Sequence, residues 1–208
     1  MKVLTKERWF NKTRIIIVFL FLFGLFVSYF FESGLSELIF KFDIHAEDLG
    51  NWGAEARAGM INSRLHIFPY MSAQTFMVNV APVLFFATAI FFFREKTALF
   101  PQQFVRGQSQ KKVVLSSIFT NSFITATYFY IAYMIYLSIG FLFLKTNVYQ
   151  IEWNIFDGIF GEGFYRNHMF LYYTLSGFFK AFLAPFVYSV LACSVGLVVN
   201  RAYLCIII

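Results

Sequence analysis

Between Arg14 and Glu32 the chain carries no charge, and Ile15–Phe31 is a run of apolar and aromatic residues. At 1.5 Å per residue, a helix over this run crosses most of a hydrocarbon core of about 30 Å. No other feature restricts the fold as strongly. A backbone in lipid must satisfy its own N–H and C=O groups, which leaves helices or closed barrels. A cleaved leader is the rival reading, but Ser28-Tyr29-Phe30-Phe31 is too bulky for a small-residue cleavage site, so the run is expected to be a retained anchor.

Three further runs follow. Phe76–Phe93 is stopped by Arg94-Glu95-Lys96. Val113–Leu144 opens after Lys111-Lys112 and closes at Lys145, and is longer than one crossing needs. Met169–Val199 is interrupted by Lys180; it divides into an amphipathic or partly re-entrant segment, Met169–Phe179, and a span, Ala181–Val199, with Lys180 reaching for the headgroups. Ala202–Ile208 then begins a fifth run. A span needs about 20 apolar residues, so the chain is expected to continue beyond Ile208 or to be unable to transport by itself.

The expected fold is an all-α polytopic helix bundle, one transmembrane domain over 1–208. It has four complete spans (about 15–31, 76–93, 113–144 and 181–199) and the start of a fifth (202–208). Composition agrees: of 208 residues 59% are hydrophobic and only 13% charged, against about 25% charged in soluble domains. That excludes a soluble enzyme, a disordered chain and a disulfide scaffold.

Basic residues set the orientation. With the N-terminus inside, the inner segments 1–14, 94–112 and 200–201 hold Lys2, Lys6, Arg8, Lys12, Arg14, Arg94, Lys96, Arg106, Lys111, Lys112 and Arg201. The outer loops, 32–75 and 145–180, are richer in acids than in bases. A multi-pass protein of the cell membrane with a cytoplasmic N-terminus is expected. The net charge of +6 therefore reflects topology, not a nucleic-acid surface.

No catalytic constellation is visible, and no enzyme activity or cofactor is expected. The chain lacks the glycine-rich phosphate loop G-x-x-x-x-G-K-[ST] and the zinc motif H-E-x-x-H. His45, His66 and His168 lack ligand spacing and are expected at surfaces or interfaces; Cys193 and Cys205 form no metal or disulfide pattern. No acidic pair or lysine falls deep in a span, which argues against an ion-coupled transporter. The outer loop 32–75, with Gly50-Asn51-Trp52-Gly53, is long enough to be a structural cap.

Two stretches stand out. In the third span Ser117, Asn121, Thr125, Tyr128, Ala132 and Tyr136 recur at three- or four-residue steps and share one helical face. Such a face turns toward other helices, as hydrogen-bonded packing or as a pathway lining. The loop 94–112 mixes Leu99, Phe100, Phe104 and Val105 with Arg106, Lys111 and Lys112, with Gly107 at a turn. It reads as a short amphipathic element at the membrane face, an anchor or a docking site.

This loop and its flanks resemble the permease subunits of type-2 ATP-binding-cassette exporters, especially small Gram-positive ones. The matching run is Phe104-Val105-Arg106-Gly107-Gln108-Ser109-Gln110-Lys111-Lys112, leading into the third span. Ser194–Val199, then Asn200-Arg201-Ala202-Tyr203, then Leu204–Ile208 resembles the family's turn into its fifth span. The family has six spans, and Thr146–His168 is longer here than a minimal connection. The resemblance implies a separate cytoplasmic ATPase, a second permease subunit, identical or different, and export of a peptide, drug or lipid-like substrate. It also implies an ATPase-coupling role for Phe100, Phe104, Arg106, Lys111 and Lys112. The alternative is a non-transport membrane protein for immunity, sensing or partner binding.

Overall fold

A computed structural model describes residues 12–46, 49–72, 79, 81–146 and 156–198. The named elements are helical: α1 (Lys12–Glu32), α2 (Leu35–Phe40), α3 (Gly53–Arg64), α4 (Ile67–Ser72), α5 (Ala81–Ala98), α6 (Phe100–Val105), α7 (Gln110–Phe143), α8 (Asp157–Phe160), α9 (Phe164–Asn167), α10 (Met169–Gly177) and α11 (Ala184–Val198). Among the described residues there is no β-strand, only an isolated bridge between His66 and Lys145.

Among the described residues three helices are long and apolar enough to cross a membrane: Lys12–Glu32, Gln110–Phe143 and the continuous stretch Met169–Val198. α1 shows why. Ile16, Phe19, Leu20 and Phe23 are more than half exposed, as suits a helix whose outer face meets hydrocarbon. α5 differs: its last two turns carry Arg94, Glu95 and Lys96. The expected second span begins before α5, at residues outside the described set; the expected partial fifth span, 202–208, also lies outside it.

The expected break at Lys180 is replaced by a change of helical register. α10 runs through π-helical turns at Phe178–Leu183 into α11. Met169–Phe179 is thus helix continuous with the next segment, not a separate re-entrant piece. Pro185 supplies the reason. It lies four residues after Ala181, has no N–H to give that carbonyl, and its ring crowds the preceding turn. Widening the turns before it accommodates the proline.

The chain forms two compact units, residues 1–21, 77–133 and 177–208 in one and residues 22–76 and 134–176 in the other. In the first unit α11 packs along α5, and α6 folds back on α5. Phe92, Phe100, Val113, Ile118 and Cys193 form a buried cluster, with Phe104, Val114 and Val190 packed against it. Phe21 of α1 meets Phe129 of α7 edge to face, centroids 4.6 Å apart.

In the second unit, Arg57 of α3 donates from Nε to the Leu38 carbonyl (2.8 Å) and from Nη2 to that of Ile39 (2.7 Å). A cation here satisfies the carbonyls at the end of α2. The loop 32–75 is therefore largely helical and internally braced. His66 is buried in this unit, whereas His45 and His168 are exposed. The Ile67 N–H donates to the Lys145 carbonyl (2.9 Å), which ties α4 to the residues after α7.

Candidate functional site

Among its described residues the first unit buries two charged side chains, Arg14 in the first turn of α1 and Glu95 near the end of α5. Asn121 of α7, fully buried, stands between them. Its Oδ1 accepts from Arg14 Nη2, and its Nδ2 donates to Glu95 Oε2 at 3.0 Å. Only this orientation of the amide serves both neighbours; the reverse would set NH2 against guanidinium and oxygen against carboxylate. Ser117, one turn earlier on α7, donates its hydroxyl to the same Glu95 oxygen, and its backbone carbonyl accepts from Asn121 Nδ2 at 3.0 Å. The Arg14 guanidinium also lies over the Phe91 ring, 4.6 Å from its centroid, a favourable cation–π placement where water is scarce.

One turn further along α7 the polar seam continues without charge. Thr88 of α5 donates to Thr125 of α7 (3.1 Å) and shares a hydrogen bond with Ser189 of α11 (3.3 Å). All three hydroxyls are buried. Between the two clusters lies a hollow lined by Arg14, Thr88, Phe91, Thr125, Tyr128 and Phe129, among others, with room for about one water.

Each charge in this seam is expensive to hold away from water unless it is paired and hydrogen-bonded. One amide joins the two charges, accepting from the cation on one side and donating to the anion on the other. Chemically it stores and balances charge between three helices. Among the described residues no cluster of His, Cys, Asp and Glu could hold a metal ion.

Of the polar face expected on the third span, Ser117, Asn121 and Thr125 enter this seam, Tyr128 lines the hollow, and Tyr136 belongs to the second unit, where it stacks on Tyr70. The coupling residues separate differently. Phe100 is buried against Phe92, and Phe104, half-buried, packs on the same cluster. Val105, Arg106, Lys111 and Lys112 are exposed.

The geometry of this corner follows from sequence. Pro101 falls in the first turn of α6, where no intrahelical N–H is needed. α6 ends with Gly107 at φ +76°; the Gly107 N–H donates to the Phe104 carbonyl and that of Gln108 to the Gln103 carbonyl. These two bonds make a Schellman stop, for which glycine is the usual residue.

Arg14, Glu95, Thr88 and Ser189 were not legible as site residues, because the two charges look like span flanks. The signal that could have found them is Asn121: an amide in an apolar helix needs partners from other helices. Comparison with known protein families, with curated proteins and with solved structures found no match.

Proposed function

We propose that the chain is a multi-pass protein of the cell membrane, N-terminus inside, with four complete spans. In this reading it acts as the membrane subunit of an ATP-binding-cassette exporter powered by a separate ATPase. It works with a second permease subunit and exports a peptide, drug or lipid-like substrate. One observation carries the reading: the elbow formed by α6. Phe100 and Phe104 anchor it into a core shared by α5, α7 and α11, while Arg106 at its tip and Lys111 and Lys112 just beyond it are exposed.

A force applied to such an elbow passes into three helices at once. An element free to bend would dissipate it. Packed helices switch between discrete arrangements instead of deforming smoothly, so a rigid elbow suits a subunit driven by the closing of an ATPase pair. Docking falls to Arg106, Lys111 and Lys112, and Phe100 and Phe104 serve as the anchor behind them.

The test is to co-express the tagged full chain with each cassette-type ATPase of its source organism. One ATPase is expected to co-purify in a fixed ratio, and Arg106→Ala with Lys111→Ala and Lys112→Ala should weaken that association. If none co-purifies, and no ATP-dependent efflux appears in vesicles, the transport reading fails and a non-transport membrane protein takes its place.

A further inference from the structure

We propose that Lys180 and the double row of rings beside it bind one anionic phospholipid, with the phosphate at the ammonium and an acyl chain along the rings. The proposal rests on α11 spanning the membrane and owes nothing to transport.

The rings join α7 to the stretch that runs from the π-helical turns into α11. Phe178, Phe182 and Phe186 follow at four-residue steps, nearly parallel, with centroids 5.1 and 6.5 Å apart. Rings of α7 meet them in reverse order. Phe119 lies beside Phe186 (6.3 Å), Phe123 beside Phe182 (5.7 Å), and Tyr130 beside Phe182 and Phe178 (6.2 and 6.1 Å). Phe119, Phe123 and Phe178 stay exposed despite these contacts, so the double row is open along its outer side. The π-helical turns bring Lys180 to that opening. Such a turn holds more residues than an α-helical one, so neighbouring side chains fan out less, and Phe178, Phe179 and Lys180 are all exposed.

A second lysine sets the depth. Lys96 of α5 donates from Nζ to the Gly196 carbonyl (3.1 Å) and the Leu197 carbonyl (2.7 Å), near the end of α11. Lys180 precedes Gly196 by sixteen residues, about 24 Å of helix. With the reach of a lysine side chain added, the two ammonium groups bracket a hydrocarbon core of about 30 Å. Phe186 then lies about 9 Å inside Lys180, so the rings fall within one leaflet, whose chains are about 15 Å deep.

The occupant follows from that placement. Helices that pack together in lipid approach through small residues; this face offers rings with a cation at their boundary end. A chain of leaflet length fits along the rings, and a headgroup at Lys180 is favoured when its net charge is negative.

The full chain with Trp9→Phe, Trp52→Phe, Trp153→Phe and Phe186→Trp carries one tryptophan, set among the rings. It would be reconstituted in mixed phosphatidylcholine and phosphatidylglycerol bilayers, each lipid in turn carrying brominated chains, and quenching gives their relative binding. Phosphatidylglycerol should be preferred about fivefold, as one lysine at an anionic headgroup provides. Lys180→Gln should abolish the preference and Lys180→Arg keep it. Lys145→Gln, at an exposed lysine elsewhere, should leave it unchanged. Tyr130→Trp, read in place of Phe186→Trp, should give the same ratio. No preference in the parent, a preference that survives Lys180→Gln, or an equal loss in Lys145→Gln would each overturn the site. Absence of quenching by either lipid would also overturn it, since protein then covers the rings. Failure of the spanning reading looks different: the chain would leave the bilayer in an alkaline carbonate wash.

Discussion

Tyr70 of α4 and Tyr136 of α7 hold each other by a reciprocal pair of hydrogen bonds. Each hydroxyl donates to the other residue's backbone carbonyl, both at 2.9 Å, and the rings stack with centroids 4.0 Å apart. A carbonyl inside a helix has a spare lone pair, so α7 gains a tie here without losing its own ladder. Gly140, one turn on, makes room: a Cβ there would come within 2.5 Å of the Tyr70 ring.

Tyr70→Phe keeps the ring and removes one donor. The expected cost is about 1–2 kcal/mol, the usual range for a buried hydrogen bond, and Tyr136→Phe should cost a similar amount. Together they should cost less than the sum, since both act through one stack. Thermal unfolding in detergent measures all three. Burial also pushes the Tyr70 hydroxyl above its ordinary value of 10.0. A raised folded value means that its stabilisation is complete below the unfolded value and is lost as pH rises toward the folded one. Stability should fall above about pH 10, and less steeply in Tyr70→Phe.

Gly177 gives a steric test within the first unit. A Cβ at this position would lie 1.9 Å from the Tyr133 ring, and Tyr133 is itself buried. Gly177→Ala must therefore displace a packed ring, at about 1–3 kcal/mol. Cutting the ring back should relieve it: Gly177→Ala with Tyr133→Leu is expected to unfold at a higher temperature than Tyr133→Leu alone. An additive loss would show that the cost of Gly177→Ala does not come from the Tyr133 ring.

On the proposed reading, the elbow separates anchoring from docking. Phe100→Ala removes a buried ring from the cluster with Phe92, Val113, Ile118 and Cys193 and should cost about 3–5 kcal/mol. Arg106 is exposed, and Arg106→Ala should change stability by less than about 0.5 kcal/mol while still weakening ATPase association. A large stability loss in Arg106→Ala, seen in the same melting experiment, would place the guanidinium in the fold instead.

The helical pattern and the polar face of α7 were legible because both follow from periodicity: apolar runs of membrane length, and polar residues at three- and four-residue steps. The contacts that use that face were not. Arg14 and Glu95 sit where charges ordinarily mark the end of a span, and nothing local reveals that α1 begins by Lys12 or that α5 continues to Ala98. Lys180 drew attention as a break because it is charged; Pro185, five residues later, accounts for the π-helical turns without breaking the helix. The reading of 94–112 as a short amphipathic element at the membrane face assigns Phe100 and Phe104 no core partner, whereas both pack on the cluster around Phe92. Once α6 forms, one of its sides has to be buried.

The last prediction concerns sidedness. The Arg14–Asn121 bond joins the first turn of α1 to the N-terminal third of α7. Two helices bonded there, and each crossing the membrane, must begin on the same side, so Lys12 and Gln108 should share a compartment. That part of the prediction comes from geometry and owes nothing to charge counting. Which compartment it is rests on Lys and Arg: eleven of the 17 lie in segments 1–14, 94–112 and 200–201, and basic residues are retained in the cytoplasm. Reporter fusions after Lys12 and Gln108 should both report cytoplasm, and fusions after Glu55 and Glu162 the outside. The two parts can fail separately. If all four fusions invert, the charge reading is wrong and the bundle stands. If Lys12 and Gln108 report opposite sides, α1 and α7 cannot meet at Asn121, and the charge network falls with the topology.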